Sequence, residues 1–192
     1  MSSKKRLKIT FNSPVVLWFT IICLAAFLAG IITRDASTSL LFCVYRSSLS
    51  DPFTYVRFFG HVFGHADWSH LIGNMTMLLV VGPLLEEKHG AKPLVLVMAV
   101  TAFVTGLVHF IFFPNSSLLG ASGIVFAFIL LASVTQIRRG EIPLTLILVA
   151  VLYLGQQVIE GIFINDNVSN LTHIIGGCIG AGAGMFFLKK KS

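Results

Sequence analysis

Residues 91–113, AKPLVLVMAVTAFVTGLVHFIFF, contain no acid and a single Lys or Arg, Lys92, near the start. A run of that length and polarity suits a helix crossing a bilayer, which takes about 20 mostly apolar residues. Runs of the same kind occupy 15–33, 68–86, 118–136, 142–160 and 170–188. The sequence therefore predicts an all-α integral membrane protein with six transmembrane helices, forming a single membrane domain over 1–192. Composition agrees, since 55% of the residues are hydrophobic and 11% are charged, against about 25% charged in a soluble domain. Little chain is left for a soluble domain.

The charges sort by side. Lys4, Lys5, Arg6 and Lys8 lie in the N-terminal segment 1–14, Lys88 and Lys92 between the second and third runs, and Arg138 and Arg139 between the fourth and fifth. Lys189, Lys190 and Lys191 lie in the tail 189–192, and the opposite side holds Arg34, Arg46 and Arg57. Basic residues favour the cytoplasmic side, so both termini are expected there. On this reading the net charge of +6 reflects topology, with some attraction to anionic lipid, rather than a nucleic-acid partner. The first run is too long for a signal-peptide core and is followed by no A-x-A-like site, so it is expected to remain as an anchor. Cys23, Cys43 and Cys178 have no metal or redox spacing and are expected to act as small apolar fillers.

The connection from Arg34 to Asp67 is too long to be a simple linker. It carries the semi-apolar patches SLLFCVY and FTYVRFFGHVF, and is expected to be a membrane-embedded outer loop. Gly-Ala-Ser-Gly (120–123) opens the fourth run, and GGCIGAGAG (176–184) lies in the sixth. Small residues allow close helix approach in membranes, so these two helices are expected to pack together.

Strongly polar side chains at membrane depth are costly and mark interiors or water-filled cavities. On this topology His70 and Asn74 fall in the first two turns of the second run. Ser122 falls in the second turn of the fourth, and His173 about one turn into the sixth. All four then lie roughly 3 to 10 Å below their outer helix ends, and His70 and Asn74, four apart, share a helix face. A serine hydroxyl needs a nearby base to become a nucleophile, and histidine is the usual one near neutral pH. Ser122 and His173 fit those roles, while His70 and Asn74 are of the right type to stabilise an oxyanion.

The same residues admit competing readings. Serine and small-residue patterns in membrane helices often serve packing alone, but four polar residues at one depth on three helices favour function. A metal site at His61, His65 and His70 lacks suitable spacing and companion ligands, so neither a metal nor another cofactor is expected. His109 and His89 are expected at solvent or interface positions without particular partners. A channel would need polar residues through the inner half of the bundle, where the sequence shows few.

With these residues in hand, the chain resembles the rhomboid intramembrane serine proteases in their minimal six-span bacterial form. The resemblance rests on R-F-F-G-H (Arg57 to His61), His70 with Asn74, Glu86 in GPLLEEKHG, and G-x-S-G (Gly120 to Gly123). His173 with Gly176 and Gly180 completes it. It implies a Ser122–His173 dyad and an oxyanion site from the Ser122 N–H, His70 and Asn74. Gly120, Gly123, Phe126, Gly176, Gly180, Arg57 and Glu86 would play supporting parts. It further implies membrane-protein substrates cut in or beside their transmembrane segments, and a bacterial inner membrane with the active site facing outward. The fifth run and EGIFINDNVSN (160–170) would form a mobile gate and cap. Val56 stands where many members have Trp, Phe126 where a Tyr often stacks on the catalytic histidine, and Thr172 where Ala is frequent. The alternative is a catalytically silent rhomboid-like protein that binds transmembrane segments; such relatives typically lack the serine or histidine present here.

Overall fold

A computed structural model describes residues 10–137, 141–145, 147–148, 151–152 and 167–191. The expected fifth span, 142–160, and most of the expected gate and cap lie largely outside them. Helix α1 spans Pro14–Thr33, α2 Ala36–Leu41 and α3 Pro52–Gly60, and a 3-10 turn covers His61–Phe63. Then come α4, Trp68–His89; α5, Ala91–Phe112; α6, Ser122–Val134; and α7, Asn167–Lys191. Among the described residues four helices, α1, α4, α5 and α7, are long and apolar enough to cross a membrane. Many of their large apolar side chains point outward, among them Trp18, Ile32, Val80, Leu84, Leu96 and Phe112. In water such a surface would drive association; in a bilayer it meets lipid.

Side-chain contacts fix the helix directions. Glu86, near the end of α4, accepts hydrogen bonds from the backbone N–H groups of Val15 (3.1 Å) and Val16 (3.2 Å) at the start of α1. At the other end Phe27 of α1 meets Trp68 of α4, ring centroids 4.8 Å apart. The two helices are therefore antiparallel. Pro14 opens α1 with its φ preset for a helix, and Ser13 makes no side-chain cap bond, so Glu86 caps α1 from across the bundle. Gly82 lets the pair close up: a Cβ there would lie 2.7 Å from Val16 Cγ2.

Helix α6 departs from the expected span 118–136. It has 13 residues, about 20 Å at 1.5 Å per residue, and starts at Ser122. Residues 118–121 are not helical: Leu118 exchanges backbone hydrogen bonds with Val44 (2.9 and 2.8 Å), and the Gly120 N–H donates to His61 O (2.9 Å). Gly120 has φ +128°, a conformation that disfavours any side chain. Ser122 is thus the first residue of its helix rather than part of its second turn. Val44 and Leu118 form an isolated antiparallel β-bridge.

The segment between α1 and α4 is folded. Arg34 and Asp35, at φ 51° and 66°, turn the chain out of α1 into α2. Helix α3 starts at the cap Asp51, whose side chain accepts from the Phe53 N–H (2.9 Å). It packs tightly on α5, where a Cβ at Gly106 would lie 2.9 Å from Phe58 O. Its apolar residues Tyr55, Val56 and Phe59 remain exposed.

Candidate active site

Because α6 starts late, its first residue lies within the bundle rather than at its edge. Along α6 the half-buried positions are Ser122, Phe126, Ile129 and Ala132, at helical spacing, while nearly all the rest are buried. Ser122 and Phe126 therefore share the least covered face of a central helix. The N–H groups opening a helix have no intrahelical acceptor and carry partial positive charge, so Ser122 sits among donors suited to an anion.

Helix α7 lies against α6 backbone to backbone. A Cβ on Gly176 would overlap the carbonyl of Gly123, one on Gly180 the carbonyl of Ala127, and one on Gly184 would lie 2.8 Å from Val134 Cγ1. Both series advance together, so the two helices are parallel and in register. On that register His173 stands about 3 Å along the axis from the level of Ser122, toward the start of the helices. Its ring packs on Phe126, centroids 4.4 Å apart and planes at 46°. The expected close packing of the two glycine-rich segments is present, with His173 turned to the face that carries Ser122. Thr172 is buried, and its methyl carbon lies 3.3 Å from where a Gly123 Cβ would sit.

His70 and Asn74 approach from α4. A Cβ on Gly120 would lie 2.7 Å from His70 Nε2 and 4.0 Å from Asn74 Nδ2, so both nitrogens border the residue two before Ser122. Asn74 Nδ2 donates to His70 O (3.1 Å), and the Ala66 N–H approaches His70 Nδ1 at 3.5 Å. An acceptor role for Nδ1 leaves the proton on Nε2, on the side facing Gly120. His65 backs the ring edge to face, centroids 5.0 Å apart. His65 Nδ1 lies 3.2 Å from Phe63 O; burial, then the neighbouring His70, pull its pKa down to about 4. An open cleft of about 390 Å³ beside His70 and Asn74 is lined by α4 and its cap Asp67.

The structure thus sets His173 against Phe126, which shares a helix face with Ser122, and sets His70 and Asn74 beside Gly120, two residues before Ser122. A protein-family model for the rhomboid domain matches residues 52–190. The chain belongs to the rhomboid family. With four long apolar helices among the described residues, it is an integral membrane protein. It is 35% identical over 142 residues to Rhomboid-related protein 1 of Caenorhabditis elegans, covering 68% of this chain and 38% of that protein. It is 31% identical over 156 residues to Rhomboid-related protein 2 of Mus musculus, covering 71% and 52%. Against Rhomboid-like protein 11, chloroplastic, of Arabidopsis thaliana, it is 32% identical over 107 residues, covering 55% and 37%. The chain spans about half or less of the length of these relatives.

The remaining candidate residues of this rhomboid chain lie apart from the cluster. Arg57 is buried and ties the segment between α1 and α4 together. Its Nη2 donates to Asp51 Oδ2 (2.8 Å), Ser47 Oγ (2.9 Å) and Thr54 Oγ1 (3.0 Å), and its guanidinium lies over the Tyr45 ring. The guanidinium in turn holds the Asp51 carboxyl below the usual range. Glu86, 16 residues along α4 from His70, is about 24 Å away, so it supports the bundle rather than the site.

Sequence reasoning missed the histidine partners and one cap. His61 Nε2 lies 3.0 Å from Ala102 O, and burial lowers its pKa to about 4. His109 is buried with Nε2 3.2 Å from Ser116 O, and His89 packs on Phe187, centroids 4.9 Å apart. The expectation that His109 and His89 lack partners is thereby corrected. Carbonyl oxygens set by backbone folding supply the bonds to His61 and His109, and spacing alone does not reveal them. Asp67 caps α4 by accepting from the His70 N–H (2.8 Å). That signal was available, since Asp just before an apolar helix marks a start.

Proposed function

We propose that this chain is an intramembrane serine endopeptidase that cleaves transmembrane segments of membrane proteins. The observation that carries the reading is the convergence on the start of α6. His173 of α7 packs on Phe126, one turn below Ser122 on the same face, while His70 and Asn74 border Gly120. In this reading Ser122 Oγ attacks the substrate carbonyl while His173 takes its proton. The oxyanion is stabilised by the Ser122 N–H, His70 Nε2–H and an Asn74 Nδ2–H. His173 then protonates the departing amide nitrogen, and the C–N bond breaks to leave an acyl-serine. Water, activated by the same histidine, releases the acid and regenerates Ser122.

The chemistry needs an unwound substrate, because a helical peptide keeps its carbonyls bonded and shielded. Gly, Pro or polar residues in the substrate's segment lower that cost. We read the chain as one domain of six spans. The parallel α6 and α7 support a crossing between them, because chain leaving α6 at one end has to regain the other before α7. Charge sorting supports cytoplasmic termini and a site opening to the outside. The bacterial inner membrane rests on the resemblance alone.

The test is cleavage of a single-span reporter, with helix-breaking residues in its membrane segment, by purified protein in detergent. Ser122→Ala and His173→Ala are expected to abolish turnover while the fold is kept. Near-parental cleavage by either variant sinks the dyad. A folded parent that cleaves no reporter favours the silent binder.

A further inference from the structure

The cleft of about 390 Å³ beside His70 and Asn74 is lined, among the described residues, by Asp67, Ser69, His70, Gly73 and Asn74. These gather on one flank of the start of α4: His70 and Asn74 lie four apart, as do Ser69 and Gly73, while Leu71, Met75 and Leu78 are buried in the core. Two of them set what the cleft can hold. Gly73 is exposed, and a Cβ there would meet no heavy atom of the described residues within 4 Å, so the wall is open where a side chain would fill it. Asp67 is exposed as well, and its Oδ1 accepts from the His70 N–H (2.8 Å), which fixes the carboxylate at the rim. The start of a helix carries about half a positive charge, less than the full negative charge of Asp67, so this flank of α4 is net anionic.

Its position suits a substrate side chain. In the proposed reaction the scissile carbonyl oxygen sits at His70 Nε2, and the Asp67 carboxylate sits at the His70 backbone N–H. One histidine side chain separates the two places, a length that an extended lysine or arginine side chain spans. A small side chain would leave the cleft empty, and a long apolar one would strip water from Asp67 and Ser69 without replacing its hydrogen bonds. A cation in a membrane segment is costly unless it is paired, so a substrate carrying one beside the cleaved bond gains from a fixed carboxylate. We propose that this cleft is a specificity subsite that receives the side chain of a residue flanking the scissile bond and favours lysine or arginine there. Gly73 supplies the room and Asp67 the charge. The proposal rests on the protease reading above and gives it a substrate class.

The experiment measures kcat/KM of the purified full chain in detergent on one single-span reporter, with lysine, methionine or alanine placed at each residue flanking the cleaved bond in turn. At one of the two positions the lysine reporter is expected to exceed the methionine reporter about threefold, the weight of an exposed ion pair, and the difference to shrink as salt is raised. Asp67→Asn, which keeps a capping side chain at the start of α4, is expected to bring the lysine-to-methionine ratio close to one. Gly73→Leu is expected to lower both long side chains about tenfold relative to alanine by filling the cleft. Each readout is a ratio between reporters within one variant, so a general loss of folded or active protein cancels. Three results overturn the subsite: no lysine preference at either position in the parent, a preference that survives Asp67→Asn, or unchanged ratios to alanine in Gly73→Leu. In all three the alanine reporter is still cleaved and the protease reading stands, whereas a folded parent that cleaves none of the reporters brings down both.

Discussion

Gly120→Ala tests whether the turn before Ser122 serves His70. At φ +128° an alanine is strained, at a cost of about 1 to 3 kcal/mol. Its Cβ would also lie 2.7 Å from His70 Nε2 and 2.8 Å from Cε1. An ordinary contact begins at 3.4 Å, so the ring has to withdraw by about 0.7 Å, the scale on which misplaced catalytic groups lose about a hundredfold. Retreat is not free: the His70 N–H is held by Asp67 (2.8 Å), its carbonyl by Asn74 (3.1 Å), and its ring is backed by His65. We expect reporter cleavage to fall about a hundredfold, mainly in kcat, as for loss of one oxyanion donor, in a variant that remains folded by circular dichroism. Coupling supplies the sharper readout. If Gly120 acts through His70, adding Gly120→Ala to His70→Ala slows cleavage little further. Parental rates in the single variant, or fully additive losses in the double, would refute the reasoning.

Three other predictions follow from the same geometry. On α7, Gly182→Ala meets nothing within 4 Å and is expected to stabilise by up to about 1 kcal/mol through helix propensity; Gly176→Ala and Gly180→Ala, whose Cβ atoms overlap backbone of α6, are expected to destabilise by about 1 to 3 kcal/mol and to slow cleavage, all read by denaturant unfolding beside reporter assays. Glu86→Gln weakens the cap on Val15 and Val16 and is expected to cost about 1 kcal/mol with turnover nearly intact; an inactive but stable variant would place Glu86 in the chemistry. His61 and His65 have folded pKa values lowered from 6.5 to about 4, so the unfolded chain binds more protons between those values and stability falls as pH drops from 6.5 toward 4. A flat unfolding temperature from pH 7 to 4.5 would contradict that; Asp51, held low by Arg57, adds its loss only at lower pH.

The legible part of this fold was the part written in hydrophobic periodicity and length. The runs at 15–33, 68–86, 91–113 and 170–188 lie within or almost within α1, α4, α5 and α7, because about 20 apolar residues have few other uses. The pairing of the glycine-rich segments was legible for the same reason: a glycine stripe inside a membrane helix invites close approach. The start of α6 was not. Leu118 and Leu119 are as apolar as the helix that follows, so composition extends the helix outward by a turn. The chain instead leaves helical geometry at Gly120, held by partners at Val44 and His61 more than 50 residues away. Tertiary hydrogen bonds decided what local pattern could not. The same holds for Arg57, read as a motif residue, whose ring of acceptors appears only when Ser47, Asp51 and Thr54 fold around it.

That early break in α6 explains why the segment between α1 and α4 is built as it is. A hydrocarbon layer is about 30 Å thick, whereas 13 helical residues cover about 20 Å. Non-helical backbone is tolerated at membrane depth only where protein or a water-filled cavity surrounds it. Here the polar groups of Leu118 are met by Val44, and the Gly120 N–H by His61, both in the segment between α1 and α4. Arg57 in turn fastens α3 to the loop before it through Asp51 and Ser47, and Gly106 lets α3 seat on α5. The chain from Arg34 to Asp67 therefore supplies the hydrogen bonds that a missing helical turn would have supplied for itself, and by doing so leaves the first residue of α6, Ser122, with its helix-opening N–H groups available. Loosening the brace without touching the cluster, as Asp51→Asn would, is expected to lower cleavage along with stability. A variant that lost stability there and kept full turnover would show that the brace and the site are independent.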